Sequence, residues 1–184
     1  KPTPKSSEKI IFQLKEMIKT LVKKYEVKLK GIGIASIGPI NVKTGIITPP
    51  NLPFKKLSLV KPLKEFFKVP IVLVGDCAAA VLAEQQFGAG KKIKNLVYVT
   101  LSTGIGGGAI VDGNLLLGKN GSATHIGHLV IDYEEKLKCG CGGYGHWEAY
   151  CSGANIPNFV RFLSKRMDMK SSLLFKISNG LRNL

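Results

Sequence analysis

Apolar positions between residues 6 and 26 recur at Ile11, Leu14, Ile18, Leu21, Val22 and Tyr25, with lysines on the other side. That spacing follows the period of a helix with one face in a core. Ser6-Ser7-Glu8 supplies an N-cap signal ahead of it. The next run, 29–37, is β-rich and stops at Gly38-Pro39, a turn signal. Pro49, Pro50 and Pro53 make 48–53 an extended loop. A short amphipathic helix is expected over 59–67. The apolar run 69–74 has strand length, and Gly75-Asp76 leads straight into the alanine-rich segment 77–87. This reads as strand, turn, helix. Further strands are expected over 96–101 and 106–111, with a hairpin turn at Asp112-Gly113 into 115–117. A short strand over 129–132 then precedes a cysteine loop. Helical spacing returns at 155–166, and 167–184 is weakly patterned. Strands interspersed with helices predict an α/β or α+β architecture. Gly88, Gly90 and Lys91-Lys92 punctuate a boundary in the region 75–95.

Composition narrows the class. The 184 residues are 45% apolar, enough to bury a core. No apolar run approaches the ~20 residues that span a bilayer, and the lysine-rich start lacks a signal-peptide core. The expectation is a cytoplasmic protein. Net charge is +15, but of 27 basic residues 24 are lysine, scattered or spaced against Glu8, Glu16 and Glu26. Arginine is the usual reader of base edges, so a solvated lysine surface is preferred over a nucleic-acid partner. Cys77, Cys139, Cys141 and Cys151 do not form a secreted disulfide framework in a chain of this size. A reducing compartment is the simpler reading.

Three features carry candidate chemistry. Asp76 stands at the end of an apolar strand and the start of a helix, where α/β folds place functional groups; a plain helix cap reads equally from the residues. Ser102-Thr103-Gly104-Ile105-Gly106-Gly107-Gly108 lets backbone N–H groups approach an anion, with hydroxyls beside them. It lacks the Gly-Lys-Ser/Thr ending of a P-loop, and tight packing is its alternative reading. The third is the loop of His128, Cys139, Cys141 and His146. Thiolate and imidazole are zinc's preferred donors, and four protein ligands make a structural site. Packed thiols in a turn are the alternative there.

These motifs, in this order, resemble the ROK family of sugar kinases and repressors, most nearly its archaeal-type glucokinases and hexokinases. The glycine-rich phosphate motif corresponds to 101–108, and the strand-end aspartate to Asp76. Glu-x-Gly-His corresponds in part to His125-Ile126-Gly127-His128. Cys-x-Cys-Gly-x-x-Gly-Cys-x-Glu corresponds to 139–148 with one change, and Asn51-Leu52-Pro53 is similar to the sugar-binding loop.

The resemblance implies an actin/hexokinase-like (ribonuclease H-like) two-lobed fold, with 1–78 in the small lobe and 79–184 in the large lobe. It implies ATP-dependent phosphorylation of a hexose, glucose first, at its 6-hydroxyl. Asp76 would be the general base. Asn51, Asp76, His125, His128 and Glu148 would contact the sugar. Thr103, Gly104, Gly106 and Gly107 would hold ATP phosphates with Mg²⁺, and His128, Cys139, Cys141 and His146 would hold structural Zn²⁺. A homodimer is the family's usual assembly. The alternatives are a ROK-type sugar-responsive transcriptional regulator and a catalytically degenerate sugar-binding module.

The chain departs from the pattern at four places. His146 replaces a zinc cysteine. His125 replaces the glutamate of Glu-x-Gly-His. Gly75 replaces the asparagine before the catalytic aspartate. The Asp-x-Gly-x-Thr phosphate hairpin and the last helices of the fold have no counterpart in 1–184, so the chain is expected to be an internal portion, incomplete at both ends.

Overall fold

The computed structural model describes residues 2–49, 54–166 and 173. The first helix, α1, runs Ser7–Tyr25. Ser6 Oγ accepts the Lys9 N–H at 3.3 Å, and Glu26 ends the helix in the left-handed region, φ 49°. Its inner face delivers Ile10, Ile11 and Leu14 to a core that includes Ile40, Ile47, Leu57, Leu59 and Leu73.

Strand β1 (Ile32–Ser36) pairs in parallel with β5 (Ile71–Gly75), in a register running from Ile32 opposite Ile71 to Ser36 opposite Gly75. Between them lie β2 (Ile40–Asn41), β3 (Ile46–Ile47) and β4 (Leu57–Ser58), an antiparallel ladder in that order, and helix α2 (Val60–Phe67). The ladder was not expected from the sequence. Two-residue strands are too short to show a period of two, and this ladder is held by the burial of Ile40, Ile47 and Leu57.

Helix α3 (Asp76–Phe87) follows β5 with no intervening loop, and Gly75 serves as its N-cap. Strands β6 (Leu96–Leu101), β7 (Ile105–Val111) and β8 (Asn114–Leu115) form a third sheet in that order. The β7–β8 turn places Asp112 and Gly113 at φ 50° and 81°, as the Asp-Gly pair predicts. A 3₁₀ turn (Ile126–His128), a short helix α4 (Glu148–Cys151) and helix α5 (Ile156–Ser164) complete the described elements.

The strand expected at 129–132 is instead a single antiparallel bridge, Val130 to His146. The N–H groups of Ile131 and Asp132 both go to the Gly145 carbonyl, at 2.9 and 3.2 Å, so no ladder extends. Residues 167–184, whose pattern was ambiguous, lie outside the described residues apart from 173.

The chain forms two compact units. One comprises 1–97 with 108–124, the other 98–107 with 125–184. The chain returns to the first unit within β7, and the segment after β8 packs there: the Val42 N–H reaches the Asn120 carbonyl at 3.4 Å, and Gly121 lies against Val42 and Ile40. The second unit has a small core of Cys139, Ala149 and Tyr150, packed by Leu137 and Phe159.

Candidate active-site and metal-ligand residues

In the first unit, the parallel pairing of β1 and β5 sets Ser36 and Gly75 side by side at the carboxyl ends of the strands. Asp76 comes next, exposed, as the first residue of α3. Its Oδ1 accepts the Cys77 N–H at 2.8 Å, which holds one carboxylate oxygen. Burial, reinforced by the charge and hydrogen bond of Asp76, pushes the Cys77 thiol up to about 11. Gly108 is buried against the same first turn. A Cβ there would press into the Cys77 carbonyl and stand 2.9 Å from Val81 Cγ1. The last glycine of the glycine-rich run therefore serves helix packing. A groove of about 650 Å³ in this unit, bordered by Lys43, Lys61, Lys64 and Glu65, holds none of the predicted site residues.

In the second unit, the glycine loop is a tight strand–turn–strand connection, with the Ser102 N–H on the Gly104 carbonyl at 2.9 Å. It opens into β7, as the β-favouring residues after it indicate. Neighbouring segments grip it. The Gly153 and Ala154 N–H groups donate to the Ser102 and Thr103 carbonyls at 2.8 and 3.2 Å. Glu148, the first residue of α4, accepts the Ile105 N–H on Oε2 at 2.7 Å. Gly104 leaves room for it: a Cβ there would stand 2.6 Å from that oxygen and the carboxylate would have to shift. Gly127 lies against the Ile105 carbonyl for the same reason of space. None of these grips is visible as a motif. The one available signal is the recurrence of glycine at 104, 127 and 153.

The same unit gathers His128, Cys139, Cys141 and His146, with one ligand atom from each within 4.8 Å of the others. Cys139 Sγ is 3.7 Å from His128 Nδ1, and Cys141 Sγ is 3.3 Å from His146 Nδ1. Tetrahedral zinc with Zn–S near 2.3 Å and Zn–N near 2.0–2.1 Å separates sulfur and nitrogen donors by about 3.5 Å. The two distances bracket that value, so the Cys₂His₂ set fits zinc in donor type and number and, at these two pairs, in spacing. Burial pushes the Cys139 thiol up, and the neighbouring Cys141 and Glu148 add to that rise. His125 precedes the 3₁₀ turn, exposed, its ring centroid 6.1 Å from that of His128.

Backbone bonds shape the loop that carries these donors. The Cys139 N–H donates to the Gly143 carbonyl at 2.8 Å, the Gly142 N–H to Cys139 at 2.9 Å, and the Gly145 N–H to Leu137 at 3.0 Å. Gly142 and Gly145 occupy the left-handed region at φ 97° and 69°, where glycine carries no steric penalty. Asp132 anchors the approach. It accepts the Glu134 and Lys136 N–H groups at 3.0 and 3.2 Å and the Tyr150 hydroxyl. The Tyr150 bond, first, and the two backbone donors hold the Asp132 carboxyl below its usual range. Burial and that bond push the Tyr150 hydroxyl up to about 12. Sequence reading missed this pair.

The ROK family model matches residues 1–179, nearly the whole chain. The chain belongs to the ROK family. Among curated relatives, it is 47% identical over 146 residues to a glucokinase of Pyrobaculum calidifontis, covering 79% of this chain and 48% of that protein. It is 33% identical to the xylose repressor of Bacillus subtilis, covering 85% of this chain and 40% of the repressor. Among solved structures, a ROK hexokinase from Thermus thermophilus superposes with a TM-score of 0.81 at 29% identity, covering 96% of this chain and 62% of that one. A ROK glucokinase from Streptomyces griseus, solved with glucose and AMPPNP, gives 0.67 at 28% identity, covering 97% and 56%. The fold is therefore the mixed α/β fold of the ROK hexokinases. This ROK chain spans about half the length of the curated relatives it matches. Among its described residues no helix is long and apolar enough to cross a membrane.

Of the predicted site residues, the second unit brings together His125, His128, Cys139, Cys141, His146 and Glu148, with Thr103, Gly104, Gly106 and Gly107 on its glycine loop. Asp76 belongs to the first unit. Asn51 lies outside the described residues.

Proposed function

We propose that the protein to which this ROK chain belongs is an ATP-dependent hexose kinase, with glucose the first candidate substrate and the 6-hydroxyl the acceptor. The observation that carries this reading is the exposed Asp76 carboxylate at the end of β5, one oxygen held by the Cys77 N–H and the other free of that bond. Asp76 would take the proton of the attacking hydroxyl as its oxygen bonds to the γ-phosphorus and ADP departs. A carboxylate suits this role because little other covalent chemistry falls to the protein; positioning and charge stabilisation supply the rest.

Asn51, His125, His128 and Glu148 would hydrogen-bond the sugar hydroxyls. The backbone of Thr103, Gly104, Gly106 and Gly107 would hold the ATP phosphates, whose charge Mg²⁺ would neutralise. His128 can serve metal and sugar together: Nδ1 faces Cys139 Sγ, which leaves Nε2–H as a donor. Zinc held by His128, Cys139, Cys141 and His146 would fix the loop that leads to Glu148. The lobes of the whole kinase would divide the chain at 78/79, and a cytoplasmic homodimer is its proposed form.

The likeness to the xylose repressor favours a second reading, a sugar-responsive regulator. Retention of a carboxylate at 76 favours the kinase. A coupled ADP-release assay of the whole protein with a panel of hexoses separates the two. Asp76→Ala is expected to abolish turnover while leaving the circular dichroism spectrum unchanged. Absence of sugar-dependent turnover in the unaltered protein sinks the kinase reading, and turnover retained in Asp76→Ala rejects Asp76 as the base.

A further inference from the structure

Glu148 makes two contacts that reach different parts of the second unit. Its Oε2 accepts the Ile105 N–H at 2.7 Å, across 43 residues of chain. Its Oε1 lies 3.8 Å from the thiol of Cys139, one of the four clustered metal donors. Cys139 and Ala149, which flank this arrangement, are almost wholly buried. The carboxylate therefore sits on a packed base, with no room beside it for a side chain at 104. A charge-assisted bond to a backbone N–H is stronger than a neutral one and fixes direction. Here it sets the orientation of the peptide at which the glycine loop enters β7.

We propose that Glu148 is a positioning residue that ties the metal-ligand cluster to the glycine loop, so that nucleotide affinity depends on its carboxylate even when no sugar is present. This rests on the reading of 102–107 as a phosphate-binding loop. A residue that only contacted sugar would leave the affinity for nucleotide alone untouched.

The test measures AMPPNP binding without sugar by calorimetry, together with the Ile105 amide resonance in ¹H–¹⁵N spectra of the whole metal-loaded protein. Glu148→Ala should weaken AMPPNP about tenfold, the scale of one lost bond to a charged group, and move the Ile105 amide. Glu148→Gln keeps an acceptor oxygen and should restore both. Gly104→Ala should reproduce the Glu148→Ala defect by displacing Oε2. In the Glu148→Ala background it should add little, because the carboxylate it strikes is gone. Chelating the metal from the unaltered protein should move the same amide. An unmoved Ile105 amide in Glu148→Ala overturns the positioning role, and one indifferent to chelation overturns the tie to the cluster. An amide that moves while AMPPNP affinity stays the same overturns the reading of the loop as a nucleotide site.

Discussion

Replacing Gly108 by alanine tests whether the glycine-rich run is shaped by packing as well as by ligand. A Cβ at 108 would fall 2.8 Å from the Cys77 carbonyl carbon and 2.9 Å from Val81 Cγ1. Neither neighbour can yield cheaply: one is backbone in the first turn of α3, and Val81 is fully buried. Overpacking of this kind costs about 1–3 kcal/mol. At about 2–4 °C per kcal/mol for a domain of 150–250 residues, Tm should fall by about 2–12 °C. Asp76 is bonded to the N–H of the residue that is pushed. A displacement of about 1 Å at a reacting group can cost about 10²-fold in rate, so with Asp76 as the proposed base kcat should fall even at temperatures where the variant is fully folded. Differential scanning calorimetry gives the first quantity and the coupled ADP assay the second. Gly33→Ala is the control, since nothing stands within 4 Å of a Cβ there; its Tm and kcat should stay near the parent values. A Gly108→Ala protein with unchanged Tm and kcat refutes the packing argument.

Three other outcomes are expected. Metal analysis of the purified protein should find one zinc per chain. His146→Cys should retain it and His146→Ala should lose it, whereas zinc-free parent protein would count against the Cys₂His₂ set. His125→Glu supplies the carboxylate acceptor the family pattern has at that place and should lower the KM for sugar; an unchanged KM means another group makes that contact. Alkylation of Cys77 should be slow at pH 8, because a thiol pushed up to about 11 is almost wholly protonated there. The rate should keep climbing as pH rises toward 11, the sign set by the thiolate being the nucleophile. A plateau near pH 9, followed by mass spectrometry of the Cys77 peptide, would contradict the burial that raises it.

The long periodic elements were legible in the sequence. The helix read at 6–26 is Ser7–Tyr25, and the strand read at 96–101 is Leu96–Leu101. The strand-to-helix passage at Asp76 is where Gly75-Asp76 suggested it. The gathering of His128, Cys139, Cys141 and His146 was legible too, because soft donors crowd into one short glycine-rich loop. What escaped depends on contacts between distant segments. The β2–β4 ladder has no period to detect. Glu148 was read as a sugar contact, and nothing near it in sequence announces its bond to Ile105. Gly108 was read within a phosphate motif with tight packing as the alternative, and the proximity of Cys77 and Val81 shows what it packs against. The re-entry of the chain into the first compact unit at Gly108, within β7, is a contact between distant segments that no local pattern announces.

The backbone bonds among Ile131, Asp132, Leu137, Cys139, Gly142, Gly143 and Gly145 use none of the four donor side chains. In small metal-dependent modules, ion binding and chain ordering are one event, and the ion's affinity is spent on folding. Here the peptide itself meets much of the entropic cost of closing the loop. More of the intrinsic affinity of a metal held there would then be expressed as its retention, and its removal would be felt first by the donor side chains and the contacts they make, that of Cys139 with Glu148 among them. A metal bound by the four donors would then be able to leave and return without the backbone of the loop having to refold.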